Sequence, residues 1–157
     1  NMGNGSLEKV KNAISASFII LVPFSTTCSV AMIVFHDKIF SFYTSSPEII
    51  EMARPASYVV ALFIMIDSVQ TIFNGVLRAL RKQSLLIVAV FLCSIVFAWT
   101  VALFLIYSVV YDYSDATKTA SLWFAVALGW LLLTITEVIV LVKFIDWDSE
   151  IKAAKEE

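Results

Sequence analysis

Four long apolar segments constrain this chain more than any other feature of its sequence. A helix needs about 20 mostly apolar residues to cross the hydrocarbon core of a bilayer. Among the 157 residues, segments of this kind occupy 14–35, 58–80, 85–107 and 120–144. They predict an all-α membrane protein with four transmembrane helices joined by short connections.

The composition excludes several other classes of protein. Hydrophobic residues make up 60% of the chain and charged residues 15%, against about 45–50% and 25% in soluble domains. A soluble fold of this length could not bury so much apolar surface, which argues against a soluble enzyme and a disordered chain. The net charge of -2 offers no basic surface for nucleic acid. Cys28 and Cys93 lie in apolar runs and do not indicate a disulfide framework.

The connections carry signals for helix starts and for topology. Ser46, Pro47 and Glu48 have the order of a serine cap, a first-turn proline and an acid, and Ser114 is a similar cap before the fourth segment. Residues 147–157 form a mixed-charge tail, which we expect to be a cytoplasmic helix at or outside the membrane interface.

The distribution of lysine and arginine predicts the orientation. Cytoplasmic loops of membrane proteins carry an excess of these residues, and four spans place both ends of the chain on one side. That side carries eight of them and the other side three, so both ends are expected in the cytoplasm. The eight are Lys9, Lys11, Arg78, Arg81, Lys82, Lys143, Lys152 and Lys155, and the three are Lys38, Arg54 and Lys118.

Asp67 is the most informative polar residue. It lies ten residues after Tyr58 and thirteen before Leu80, near the middle of the second segment. A carboxylate at that depth costs roughly 2.5–3.5 kcal/mol on insertion scales, so it is expected to face a bundle interior or a wet cavity. Asp67 is therefore a candidate to bind and release a proton or a monovalent cation.

Further polar residues follow Asp67 along one helical face. Gln70 or Thr71, then Asn74 and Arg78, recur at helical spacing from mid-membrane toward the cytoplasmic end. Gln70 and Asn74 either line a cavity or hydrogen-bond to neighbouring helices, and the sequence leaves both readings open. We interpret Arg78 as a topology anchor at the interface. Gly75 is expected to let another helix approach closely.

Two other residues inside the spans deserve a prediction. Glu137 lies six residues before Lys143, and we expect partial hydration and a role in helix packing or water contact rather than in coupling. Pro23 interrupts the first span and frees a backbone carbonyl, which indicates either a cavity-lining hinge or a tolerated kink. The sequence contains no metal-ligand cluster, catalytic triad or glycine-rich phosphate loop, so nothing in it supports an enzyme.

Four motifs resemble one transporter family. DSVQTIFNGVLRA at 67–79 is similar to the D-x-x-Q-x-x-x-x-G-V-x-R-G signature of the multidrug and toxic compound extrusion (MATE) transporters. FSFYTSSPE at 40–48 resembles the family's L-F-T-x-D-P-E connection, MGNGSLEKVKNA at 2–13 resembles a segment that precedes a span, and DWDSEIKAAK at 146–155 resembles the family's usual ending. The four occur in the family's order and cover nearly the whole chain.

The resemblance implies a position within a larger protein. Members of this family have about twelve spanning helices in two lobes, and residues 1–146 would form the last part of the C-terminal lobe. The missing N-terminal lobe, the remaining helices of the C-terminal lobe and the lipid bilayer would be its partners. The location would be a plasma membrane or an acidic organelle, and nucleic acid is not an expected partner.

The resemblance also implies a function. It is secondary active efflux of organic cations, drugs or toxic metabolites in exchange for H⁺ or Na⁺, with no other cofactor. Asp67 would carry the coupling ion, and Gln70, Thr71 and Asn74 would line the cavity. The piece is not expected to be active alone, because alternating access needs two halves around one site. The alternative is a small four-span protein that acts as an oligomeric transporter or as a structural or regulatory subunit.

Overall fold

Four helices make up the part of the chain that the structure describes, residues 7–147 and 149–150 of a computed structural model. No β-strand occurs in those residues, and each helix is long and apolar enough to cross a membrane. The prediction of an all-α protein with four spanning helices is confirmed. The helices are α1, Leu7–Ser41; α2, Pro47–Ala79; α3, Gln83–Val109; and α4, Asp115–Phe144.

The helix starts follow local sequence chemistry. α2 begins at Pro47, as the proline and the following Glu48 predict, but the Ser46 side chain makes no capping hydrogen bond. The backbone N–H of Ser46 instead donates to Thr44 Oγ1 at 3.2 Å. The predicted cap before α4 is present, since Ser114 Oγ accepts from the Thr117 N–H at 3.4 Å.

The turn between α2 and α3 is tight. Arg81 has φ 59°, in the left-handed region that residues with a Cβ seldom adopt. The backbone N–H of Lys82 reaches back to the Leu77 carbonyl at 3.0 Å, which closes the end of α2. Because the turn spans so few residues, α3 must run back in the opposite direction.

The helices pack side by side in the order α1, α2, α4, α3. Ser29 Oγ of α1 donates to the Ala61 carbonyl of α2 at 2.7 Å, while Phe18 contacts Phe73 at the other end of the same pair. This pairing is antiparallel, because residue numbers rise along α1 as they fall along α2. The alternation of direction matches four crossings. The described residues do not test on which side of the membrane the ends lie. Residues 151–157 of the predicted tail lie outside the described residues.

The buried core lies where α2, α3 and α4 converge. Leu77, Leu80, Leu86 and Leu141 form one buried cluster, and Leu133 packs with Ala89 and Cys93 in a second. Large apolar side chains on the outer faces are exposed, such as Ile20 of α1 at 68%. In a bilayer these faces meet lipid or other helices, since hydrocarbon is as apolar as the side chains.

Local irregularities mark α1 and α3. α1 continues helically through Pro23, and its non-helical residue is Phe35, with φ -111° and ψ 16°. The hydroxyls of Thr26 and Thr27 donate to the carbonyls of residues 22 and 23 at 2.7 and 2.9 Å, so both hydroxyls are paired within α1. α3 contains two stretches of wider, π-helical turns, Phe91–Phe97 and Leu105–Val109.

Gly129 of α4 lies in close contact with α3. A Cβ built there would lie 2.8 Å from the Cβ of Ala98 and 2.8 Å from the carbonyl oxygen of Cys93. Only a residue without a side chain fits this crossing. It lies against the wide turns of α3, where a π-helical bulge displaces the backbone carbonyls.

Candidate functional site

Asp67 lies half-buried in the middle of α2, between α1 and α4. The indole N–H of Trp130 on α4 donates to Asp67 Oδ1 at 2.8 Å. This one neutral donor leaves the other carboxylate oxygen available for a proton, a cation or water. The predicted mid-membrane acid therefore stands at a helix contact, with a fixed orientation.

A cavity of about 280 Å³ opens beside Asp67 between α1 and α2. Four other polar side chains reach its lining: Ser25, Cys28, Ser68 and Thr71. The hydroxyls of Ser25 and Ser68 donate to carbonyls of their own helices, at 3.0 and 2.8 Å, and their oxygens keep acceptor capacity. The cavity thus offers one carboxylate and several oxygen acceptors to a bound species.

Aromatic rings surround the Asp67 carboxylate on the side of α4. The ring of Phe63, one turn before Asp67 on α2, packs edge-on against Trp130 with centroids 5.6 Å apart and lies 6.2 Å from Trp123. Phe63 also lines the cavity. A carboxylate beside aromatic faces suits an organic cation, which ring quadrupoles attract. Phe63 and Trp130 were not predicted from the sequence, and Trp123 was expected at the membrane interface, although the seven-residue spacing of the two tryptophans places them on one face of α4.

Gln70 and Thr71 prove to have different surroundings. Gln70 is 4% exposed and faces α4, where its Nε2 donates to Glu137 Oε1 at 3.2 Å. Thr71 is exposed toward the groove between α1 and α2. The D-x-x-Q pair thus contacts α4 twice, through Trp130 and Glu137. The hydration expected at Glu137 is not observed, because α2 covers it and leaves it 1% exposed.

The rest of the predicted stripe faces a more open region. Asn74 is half-buried and Arg78 exposed. Gly75 lines a groove of about 320 Å³ between α1 and α2, and in the described part of the chain no atom outside its own helix turn lies within 4 Å of a Cβ built there. The described residues do not make the close helix contact expected at Gly75, which stays a prediction for the intact protein, whereas Gly129 makes such a contact with α3.

Comparison with known sequences identifies the family. The model of the MatE family matches residues 1–110, which include α1, α2, α3 and the whole 67–79 motif. The chain belongs to the MatE family. The match ends before α4, so Trp130 and Glu137 lie outside it.

Multidrug resistance proteins are among the relatives of this MatE chain. It is 31% identical over 87 residues to the probable multidrug resistance protein NorM of Buchnera aphidicola subsp. Baizongia pistaciae, an alignment that covers 55% of the chain and 19% of the relative. It is 32% identical over 80 residues to the multidrug resistance protein MdtK of Yersinia pseudotuberculosis serotype O:1b, covering 51% and 18%. The alignments thus span less than a fifth of each relative. No solved structure matches the chain.

Family membership and the four spanning helices together establish an integral membrane protein. The matched residues include the 67–79 motif that resembles the family in the sequence.

Proposed function

We propose that this chain is part of a secondary active efflux antiporter that exports organic cations, drugs or toxic metabolites in exchange for H⁺ or Na⁺. The observation that carries the proposal is the placement of Asp67, a mid-helix carboxylate that lines a cavity and lies beside aromatic rings. Membership of the MatE family supports it, as do relatives named multidrug resistance proteins.

The chain supplies the last four helices of the C-terminal lobe in this proposal. The resemblance of 146–155 to the family's ending supports that position, and the excess of Lys and Arg supports cytoplasmic ends. The N-terminal lobe and the remaining helices of the C-terminal lobe would be its partners. The broad exposure of α1, with Ile19 at 72% and Phe24 at 66%, leaves an apolar face that such helices or lipid would cover.

Asp67 acts in this proposal as the shared binding residue for the ion and the substrate. A proton or Na⁺ on the carboxylate cancels the charge that an organic cation would otherwise meet beside Phe63 and Trp130. Ion and substrate then favour different conformations, and each shifts the equilibrium only by its difference in affinity for the two. Gln70 holds α2 against α4 through its hydrogen bond to Glu137, while Thr71 and Asn74 lie toward the open side of the helix.

Asp67→Asn in the intact protein tests the proposal. Reconstituted vesicles with an imposed proton or Na⁺ gradient should lose coupled efflux of a fluorescent organic cation, because the neutral amide takes up no proton near neutral pH and lacks the negative charge that attracts Na⁺, while the amount of protein in the membrane stays normal. The matched control is Asp112→Asn, which changes an exposed acid between α3 and α4 and should leave transport unchanged. Wild-type efflux in Asp67→Asn would refute the role of Asp67, and the gradient that drives transport in the wild type identifies the ion.

A further inference from the structure

Glu137 is a buried carboxyl group that the proposed coupling at Asp67 does not use. It is 1% exposed, and Leu133 and Leu141, one turn away on the same face of α4, are 0% and 6% exposed. Gln70 Nε2 donates to its Oε1 at 3.2 Å. Among the residues that the structure describes, its Oε2 is buried and has no hydrogen-bond partner.

The ion pairs described within residues 7–147 and 149–150 join other groups, and none of them includes the Glu137 carboxyl. A carboxylate in apolar surroundings needs an opposite charge or several donors, whereas a neutral carboxyl with one amide partner needs neither. The surroundings of Glu137 therefore fit the protonated form.

Among the described residues, the titratable groups named below on the helices around Glu137 lie in other contacts or at exposed positions. On α2, Asp67 is itself an acid bonded to Trp130, and Arg78 is exposed. On α3, Cys93 lies with its Sγ 4.0 Å from Thr136 Oγ1. Lys143 of α4 and Lys11 of α1 are exposed at the ends of their helices.

We propose that Glu137 and Gln70 form a second proton-binding site, separate from Asp67, that holds α2 against α4 while the proton is bound. The reaction is proton transfer from a hydronium ion to the Glu137 carboxylate: one O–H bond of hydronium breaks, one O–H bond forms on the carboxyl group, and a water molecule is left. The neutral acid fits between the helices as observed. Loss of the proton leaves a charge that requires water, so α2 and α4 must separate locally to admit it.

The site is distinct from the coupling residue in both place and evidence. Asp67 opens to the cavity between α1 and α2, whereas Glu137 lies closed between α2 and α4. The inference goes beyond the proposed transport function, because proton binding can be measured without a substrate or a gradient.

Infrared spectroscopy of the intact protein tests proton binding directly. The carbonyl stretch of a protonated carboxyl should persist at a pH at which exposed acids are ionised. It should disappear in Glu137→Gln, whose amide mimics the neutral acid, and remain in Asp67→Asn. Gln70→Met should keep the band but shift it to higher frequency, because the hydrogen bond to Oε1 is lost. Glu51→Gln, at an exposed acid of α2, is the matched control and should leave the carbonyl band of the protonated carboxyl unchanged.

The outcomes separate this inference from the transport proposal. An unchanged band in Glu137→Gln, or a wild-type band that titrates with the exposed acids, would overturn proton binding at Glu137. Failure of Asp67→Asn to affect efflux would leave this infrared result intact. If the Glu137 variant does not fold, Gln70→Met still tests the proposal. An unshifted band in Gln70→Met would mean that the protonated carboxyl is not the one bonded to Gln70.

Spin labels test the coupling of the proton to the helix contact. Ala79 near the end of α2 and Val142 of α4 are both exposed and can carry a label pair after Cys28 and Cys93 are replaced by Ala. The distance between the labels should lengthen at alkaline pH in the wild type and stay constant in Glu137→Gln. A distance that ignores pH in the wild type, or that changes equally in both, would contradict the proposal.

Discussion

The two sides of α2 differ in how they are packed. Toward α4, α2 presents Gln70 and Leu77, both buried, and Gln70 donates a hydrogen bond to Glu137. Toward α1 it presents Asp67, Thr71 and Gly75 beside cavities of about 280 and 320 Å³. In an apolar window of 18 residues, 44% of the window is buried inside the structure in α4, and only 11% in α1. One helix thus separates a closed core from an open cleft.

The difference shows two acids in two settings, one on each of two packed helices. On the closed side, the carboxyl of Glu137 on α4 is 1% exposed and has an amide partner. On the open side, the carboxylate of Asp67 on α2 has an indole partner and a cavity lined by hydroxyls. An enclosed acid exchanges its proton only when its helices separate, whereas an acid that faces a cavity can exchange an ion directly.

The largest expected effect on stability comes from a pair of leucines on α2. Leu77 is 0% exposed, and Leu62 is 52% exposed. Leu77→Ala should lower the free energy of unfolding by about 2–5 kcal/mol, because it leaves a cavity in the core. Leu62→Ala should change it by less than about 0.5 kcal/mol. Denaturant titration in detergent micelles measures both, and equal losses would show that Leu77 is no more tightly packed than the exposed Leu62.

A pair of glycines gives the next largest effect. Gly129→Ala should destabilise the protein by about 1–3 kcal/mol, since the added methyl group meets Ala98 and the Cys93 carbonyl. Gly75→Ala should instead stabilise it by about 0.5–1 kcal/mol, because the methyl group enters open space and restricts the unfolded chain. The midpoint of thermal unfolding reports both signs. A loss of stability in Gly75→Ala would mean that another helix occupies the groove in the intact protein.

The labelling rates of the two cysteines compare the two sides of α2 by their accessibility. Cys28 lines the cavity beside Asp67, and Cys93 is 8% exposed in the core. Each cysteine is labelled alone: Cys28 in the Cys93→Ser variant and Cys93 in the Cys28→Ser variant. A small neutral maleimide should react with Cys28 at least about tenfold faster than with Cys93, because a buried side chain reacts only through local opening. Mass spectrometry over time gives both rates, and similar rates would contradict an enclosed α2–α4 side.

Sequence patterns predicted the helices better than their contacts. Runs of apolar residues predicted four spans, and Pro47 and Ser114 marked two helix starts that the structure confirms. Side-chain directions were harder to predict, because Gln70 and Thr71 are adjacent and either fits a stripe with Asp67. The choice depends on which helix packs on which face of α2. The same limitation applies to Gly75, since a glycine in a helix does not reveal whether a neighbour is present, and the helix contact expected there stays a prediction.

The sequence by itself determined that this chain is a four-span membrane protein with an acid in the middle of its second helix. Length and hydropathy suffice for that conclusion, because each span must satisfy its own backbone in lipid. Only the tertiary structure decided that Gln70 meets Glu137, that Asp67 meets Trp130 and that one acid is enclosed while the other faces a cavity. Those facts depend on the order in which the helices pack, and residues 67, 130 and 137 come together only when α2 and α4 lie side by side.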